Sequence, residues 1–167
     1  NMLIDEEKLI SEYNNLLKKY RFRIFTFRLM PTAWIAGLSV KQLDDKICIT
    51  SIPGGWRSQN PFKTMYWAVQ GMGAELSTGA APFALSKSMS KKLRMFVVGT
   101  EAKFTKRAKG KIQFTCKDNS IARDAIEESM ETGMSVDCEL KTVGTDISGN
   151  IVSEWIFKWN FLVIDGE

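Results

Sequence analysis

Asn60 to Ser86 reads NPFKTMYWAVQGMGAELSTGAAPFALS, and the fold turns on how this stretch is read. From Thr64 to Ser86 it runs for 23 residues with Glu75 as its one charge. Asn60 suits a helix N-cap, because its side chain accepts from backbone N–H groups that the first turn leaves unpaired. Pro61 suits the first helical position, where a missing N–H costs nothing. Gly79 is a natural stop. The spacing predicts a helix over 60–78, followed by a loop from Ala80 to Ser90 that Pro82 interrupts. At about 100° per residue, Thr64, Ala68, Gly71 and Glu75 share one arc. Met65, Val69, Met72 and Leu76 form a separate apolar stripe. The stretch is glycine- and alanine-rich and only weakly hydrophobic, so it reads as a buried core helix rather than a membrane span.

Around this helix the periodicity is of two kinds. Glu6 to about Tyr20 repeats Leu9, Ile10, Tyr13, Leu16, Leu17 and Tyr20 at helical spacing, with Asp5 as N-cap. The following RFRIFTFRLM, up to Pro31, reads as a second short helix. Leu38–Leu43 and Lys46–Ile52 read as strands joined by a turn at Asp44-Asp45. After the central helix the period becomes two. Leu93–Thr105 and Lys111–Lys117 read as strands with Lys106–Gly110 as the turn between them. Asp118–Thr132 is amphipathic, with Ile121, Ala125 and Ile126 opposite Arg123, Asp124 and Glu127, and Gly133 ends it. Ser135–Gly144 and Ile151–Ile164 alternate, the latter placing Ser153, Trp155, Phe157, Trp159, Phe161 and Val163 on one face. Strands linked by tight turns imply an antiparallel sheet. Its aromatic face needs a cover, and the glycine-rich helix is the element able to supply one. The expected class is α+β, with an N-terminal helical segment over 1–30 and the main domain over 31–167.

The composition fits a globular domain: 167 residues, 44% hydrophobic, 25% charged, net charge +4. Between Lys87 and Lys111 there are nine Lys or Arg residues against one acid, Glu101. Such a segment is either a solvated strand face or a meeting place for phosphates. Its only aromatics are Phe96 and Phe104, too few for a nucleic-acid stacking surface, so no nucleic-acid partner is expected. Cys48, Cys116 and Cys138 are widely spaced and odd in number, which argues against a disulfide framework and for a reducing, cytoplasmic setting. The N-terminus carries acids where a signal peptide carries bases. The chain has no histidine. That excludes Ser-His-Asp and Cys-His catalysis and His-ligated metal sites, and no metal is expected. Acid–base chemistry must come from carboxylates, Lys, Tyr or Cys, and Glu75 is the carboxylate on the central helix. Glu75 is then either a perturbed catalytic carboxylate or a helix-end residue that reaches water.

Asn60, six residues on Tyr66-Trp67-Ala68, and nine further on Glu75 resemble the motif of small hotdog acyl-CoA thioesterases of the phenylacetyl-CoA type. Those read N-x-x-G-x-x-HGG with a carboxylate nine residues after the His. Here Lys63, Tyr66, Trp67 and Ala68 stand in place of the motif's glycine, His and glycine pair. FVVGTEAKFTKRAKGKIQFTC, from Phe96 to Cys116, resembles the same family. Arg57-Ser58-Gln59-Asn60 resembles the R-x-x-N of a related group of thioesterase-like hotdog proteins. The likeness runs from about Pro31 to Ile164. It implies a hotdog fold, an antiparallel sheet wrapped around a long central helix. It also implies an acyl-CoA or acyl-carrier thioester as substrate, with coenzyme A as part of the substrate and no separate cofactor. Glu75 would be base or nucleophile and Asn60 its positioning partner. The backbone around Thr64, Met65 and Tyr66 would hold the oxyanion, and Ala68 and Gly71 would leave room for the acyl group. Arg57, Lys91, Lys92, Arg94, Lys106 and Arg107 are the cations available for the phosphates of coenzyme A. In this fold the site lies between subunits, so a homodimer, or a tetramer built from it, is implied. The alternative is a hotdog protein that binds acyl groups without turning them over.

Overall fold

Apolar residues at helical spacing begin the chain, and in a computed structural model that describes residues 3–165 they form α1 (Glu6–Leu17). The outermost positions of the two expected segments, 1–2 and 166–167, lie outside the described residues. Asp5 caps α1, its carboxylate accepting from the Lys8 amide at 3.0 Å. Lys18 is extended and separates α1 from α2 (Lys19–Leu29). A further short helix that the periodicity did not mark, α3 (Pro31–Ala36), ends at Gly37, whose φ of 77° suits glycine. Leu9, Tyr13, Leu16 and Phe22 of the N-terminal segment belong to the same buried cluster as the central helix and sheet.

β1 (Ser39–Leu43) and β2 (Cys48–Ile52) form an antiparallel hairpin. The Asp44 carboxylate closes its turn by accepting from the amides of Lys46 at 2.8 Å and Ile47 at 2.9 Å. Then follow α4 (Trp67–Ser88), β3 (Lys92–Phe104), β4 (Ile112–Cys116), α5 (Asn119–Thr132), β5 (Val136–Thr145) and β6 (Ile151–Ile164). The sheet order is β1-β2-β4-β5-β6-β3, with every described pairing antiparallel. The expected hairpin between β3 and β4 is therefore corrected. β3 pairs with β6, and the 105–111 segment crosses two strands to deliver β4 beside β2.

The central helix also departs from its expected limits. It begins at Trp67, not after Asn60, because the 60–66 backbone bonds elsewhere. Asn60 closes its own turn, the Met65 amide donates to the Ala108 carbonyl at 2.8 Å, and the Tyr66 amide donates to the Ser58 carbonyl at 2.8 Å. Asn60 is thus not the cap of α4. At the other end Gly79 does not stop the helix, and Pro82 sits inside it. Proline removes one i→i−4 bond. The buried residues Ala80, Ala81, Ala84 and Leu85 hold this part of the helix by tertiary packing.

Small residues let α4 lie close against the concave face of the sheet. Gly73 faces Phe114 and Gly79 faces Trp159. The Trp159 Nε1–H donates to Thr78 Oγ1 at 2.9 Å, the Ser77 and Thr142 hydroxyls are bonded at 2.7 Å, and Thr50 Oγ1 donates to the Gly73 carbonyl at 2.7 Å. The sheet wraps the helix as a hotdog. On α5 the buried face is Ala122, Ala125, Ile126 and Ser129, and Ile121 is exposed, one position away from the expected face. Cys48 and Cys116 are buried and Cys138 half-buried, all as free thiols. Burial raises all three thiol pKa values, Cys138 to about 11.

Candidate functional site

The segment leading into α4 is organised by Asn60. Its Oδ1 accepts from the Phe62 amide at 3.0 Å, the Thr64 amide at 3.3 Å and the Thr64 hydroxyl at 3.1 Å. Lys63 completes the turn with φ of 59°. The motif glycine would adopt this conformation freely; here a lysine holds it. Asn60 Nδ2 donates to no protein atom among the described residues. Asn60 lines a shallow cleft whose walls include Thr64, Trp67, Gln70, Lys106 and Arg107.

This geometry corrects the expected oxyanion donors. The amides of Thr64, Met65 and Tyr66 are engaged with Asn60, Ala108 and Ser58. Met65 is buried as well. Tyr66 caps α4 without a side-chain bond, so the amides of Trp67 and Ala68 have no protein acceptor among the described residues. They lie at the positive end of a 22-residue helix. Beside them is a residue that the sequence did not flag. Gln70 is 4% exposed; its Nε2 donates to the Met65 carbonyl at 3.2 Å, and its Oε1 is buried with no partner. A lone glutamine carries no motif, and its significance arises from burial.

Glu75 projects from α4 two turns further on. One wall around it is apolar: Met72, Leu76, Gly79 and Phe83 of α4, with Leu16, Phe25 and Met30 from the N-terminal helices, Met95 of β3 and Trp159 of β6. They enclose a cavity of about 220 Å³. The carboxyl tip still reaches solvent in a single chain, yet the crowding of apolar neighbours raises its pKa by desolvation. A carboxylate so placed can take a proton from water or attack an electrophilic carbon. The roomy side of Glu75 is not the expected small-residue arc. Gly71 faces Trp155, where a Cβ would make an ordinary 3.6 Å contact, and neither Ala68 nor Gly71 lines the cavity. Met72 and Leu76, placed on a separate stripe by the wheel, share this wall with Glu75.

Asn60 and Glu75 line different cavities. Trp67 and Glu75 are eight residues apart on one helix, or about 12 Å along its axis. The six cations named for phosphate binding are also dispersed. Lys106 and Arg107 line the Asn60 cleft, and Arg57 lines another. Lys92 and Arg94 are exposed on β3, Lys91 pairs with Asp165 at 2.9 Å, and Lys106 reaches Asp146 at 3.7 Å. Among the described residues no group of three or more His, Cys, Asp or Glu side chains is placed to hold a metal. Nor is any helix among them long and apolar enough to cross a membrane.

The family described as a domain of unknown function, DUF4442, matches residues 18–160. This chain belongs to that family. Solved structures resemble this DUF4442 chain at low identity. A probable thioesterase of unknown function from Pseudomonas aeruginosa is 21% identical, with 85% of this chain and 93% of that one covered and a TM-score of 0.69. A protein of unknown function from Chlorobaculum tepidum is 12% identical, with 89% and 98% covered and a TM-score of 0.71. A thioesterase from Haemophilus influenzae is 9% identical, with 87% and 91% covered and a TM-score of 0.62. Among curated proteins there is no match. At these identities the likeness carries the hotdog fold, and the chemistry must be argued from the residues.

Proposed function

We propose that this DUF4442 protein hydrolyses an acyl thioester, with the acyl group in the cavity beside Glu75. The observation that carries the reading is a carboxylate at the rim of an apolar cavity of about 220 Å³, its pKa raised by the apolar neighbours. As base, Glu75 takes a proton from water while the water oxygen attacks the thioester carbonyl carbon. The carbonyl becomes an oxyanion, received by the Trp67 and Ala68 amides and by Asn60 Nδ2. Collapse breaks the C–S bond, and the leaving thiolate takes the proton from Glu75. As nucleophile, the carboxylate attacks the carbonyl carbon, the C–S bond breaks, and the expelled thiolate takes a proton from solvent; water then opens the mixed anhydride to the free acid and the Glu75 carboxylate. No separate cofactor enters; coenzyme A or an acyl carrier is part of the substrate.

A single chain holds Glu75 and the helix start too far apart for one thioester carbonyl. The reading therefore includes a homodimer in which one protomer supplies Glu75 and its partner the Asn60 end. Strand β3 supports it. It is a 13-residue sheet edge that exposes Phe96 and Val98, and Met95 on it lines the cavity. Three free cysteines fit a reducing cytoplasm.

The test is release of free thiol from a panel of acyl-CoA substrates. Glu75→Gln should abolish it, and full activity in that variant overturns the assignment. A second reading, binding without turnover, is favoured by Tyr66-Trp67-Ala68 standing where the related enzymes carry His-Gly-Gly. Thermal stabilisation by acyl-CoA without thiol release would select it.

A further inference from the structure

Helix α2 walls a second cleft, separate from both Asn60 and Glu75, of about 520 Å³. Five cations line it: Lys19 and Arg23 from α2, Lys41 from β1, Arg57 from the loop after β2, and Lys111 just before β4. No carboxylate is in its wall. This is not a run of basic sequence. The five residues span positions 19 to 111, and the fold brings them together.

No acid offsets these charges within the cleft. With 23 basic and 19 acidic residues, cations and acids nearly balance. Among the described residues four cations elsewhere meet acids: Arg123 with Glu6, Glu127 and Asp45, Lys158 with Glu139, Lys91 with Asp165, and Lys106 with Asp146. Among the described residues none of the five cleft cations makes an ion pair. Like charges gathered without counter-charge repel, and a cleft with low-dielectric walls concentrates their field.

Parts of the site are also held in place. Arg23 Nη1 donates to the Trp34 carbonyl at 2.9 Å, and its guanidinium lies 4.7 Å from the Trp34 ring centroid. Gly37 leaves room for Arg57: a Cβ there would stand 3.5 Å from Arg57 Nη2, and 2.9 Å from Pro53 Cγ. Ser39 and Ser51 face each other across β1 and β2 and line the same cleft. Ser51 is 2% exposed, and its hydroxyl bonds to no protein atom among the described residues.

We infer that this cleft binds a small anion carrying two or more phosphate groups. Guanidinium forks match phosphate oxygens in pairs, ammonium groups add point charge, and a serine hydroxyl donates to a remaining oxygen. The space exceeds that needed for one phosphate, and five positive charges exceed what one phosphate neutralises. The positive charge of this cleft does not depend on the thioester reading. The phosphates could belong to the nucleotide end of coenzyme A or to a free phosphorylated metabolite, and two probes separate these sources.

The experiment is titration calorimetry of the full chain at low salt with adenosine 3′,5′-bisphosphate and with inorganic pyrophosphate. The double variant Lys41→Glu/Lys111→Glu changes two exposed side chains at the cleft rim. Lys141→Glu, on β5, is the control for a general change in charge. Wild type and the control should bind alike; the double variant should lose about tenfold or more in affinity, and binding should weaken with added salt. Binding of the adenosine probe together with its competition against acyl-CoA assigns the cleft to the carrier's nucleotide end. Binding of pyrophosphate without such competition assigns it to a free phosphorylated ligand. Absence of binding by both probes, or equal binding by the double variant, overturns the inference. Calorimetry needs no turnover, so it can succeed even if Glu75→Gln disproves the hydrolase reading.

Discussion

A Cβ added to Gly73 would sit 2.5 Å from Phe114 Cε2, inside any distance at which side chains pack. Phe114 is fully buried on β4, and Ile52 Cδ1 lies 3.0 Å from the same point, so neither neighbour can withdraw cheaply. Gly73→Ala should destabilise the protein by about 1–3 kcal/mol through overpacking. Gly71→Ala, on the same helix, meets Trp155 at an ordinary 3.6 Å. It should be neutral or stabilise by about 0.5–1 kcal/mol, because alanine loses less backbone entropy in a helix. Urea unfolding of the two variants checks the contrast, and equal effects would refute it.

Thr78 links the helix to the longest strand. Its hydroxyl donates to the Glu75 carbonyl at 2.8 Å and accepts from Trp159 Nε1 at 2.9 Å. Thr78→Val keeps the shape and leaves a buried indole N–H unpaired, at a cost of about 1–3 kcal/mol. Trp159 also lines the cavity, so the variant should broaden the Trp159 fluorescence response to an acyl ligand as well as lower the unfolding midpoint. A midpoint unchanged from wild type would show that water replaces the threonine.

Glu75 sets a sign for pH dependence. Its carboxyl pKa is raised above 4.5 by desolvation. The folded state then binds the proton more tightly than the unfolded chain, so stability is highest below the unfolded pKa and falls as pH rises through the folded one. Glu75→Gln should remove that fall, making the variant more stable than wild type near neutral pH, with the difference vanishing in acid. If Glu75 must be ionised to act, thiol release should rise along an acidic limb displaced upward from that of an ordinary glutamate. Parallel unfolding and rate profiles measure both, and a variant less stable than wild type at neutral pH would refute the sign.

The proposed composite site predicts complementation between two inactive proteins. Glu75→Gln spoils one half of each site and Asn60→Ala the other. Refolded together in equal amounts, half the dimers are mixed, and each of these holds one site with both halves intact. About a quarter of wild-type activity should return. No recovery, in a mixture shown to exchange subunits, would place the whole site within one chain.

Strand alternation in Ile151–Ile164 and the caps at Asp5 and Gly133 were legible because each depends on local pattern. The limits of α4 were not. Asn60-Pro61 has the chemistry of a helix start, but long-range bonds from Met65 to Ala108 and from Tyr66 to Ser58 take the backbone elsewhere. Gly79 has the chemistry of a stop, but its smallness serves Trp159 instead. The partner of β3 was hidden for the same reason: a turn-like KRAKG says nothing about which strand the chain reaches next. Glu75 stood out in the sequence because a lone charge in an apolar run is conspicuous. Gln70 was missed because an unpartnered amide oxygen is visible only once its surroundings are known, and the cavity wall was missed because helices 40 to 60 positions away build it.

That wall gives a prediction about substrate size. Leu16 and Phe25 come from the N-terminal helices, and the Phe25 ring stands 5.6 Å from that of Phe83 at the side of the cavity. A cavity of about 220 Å³ exceeds the ~150 Å³ that accommodates a benzene ring, so under the proposed hydrolase reading the expected acyl group is an aryl-acetyl group or a short to medium aliphatic chain. Phe25→Ala removes one wall and should move the preference towards longer acyl chains. Met72→Trp fills the space next to Glu75 and should depress turnover of longer chains while sparing acetyl-CoA. KM and kcat across a chain-length series separate the two effects. An unchanged profile in both variants would show that the acyl chain lies elsewhere, even if Glu75 proves essential.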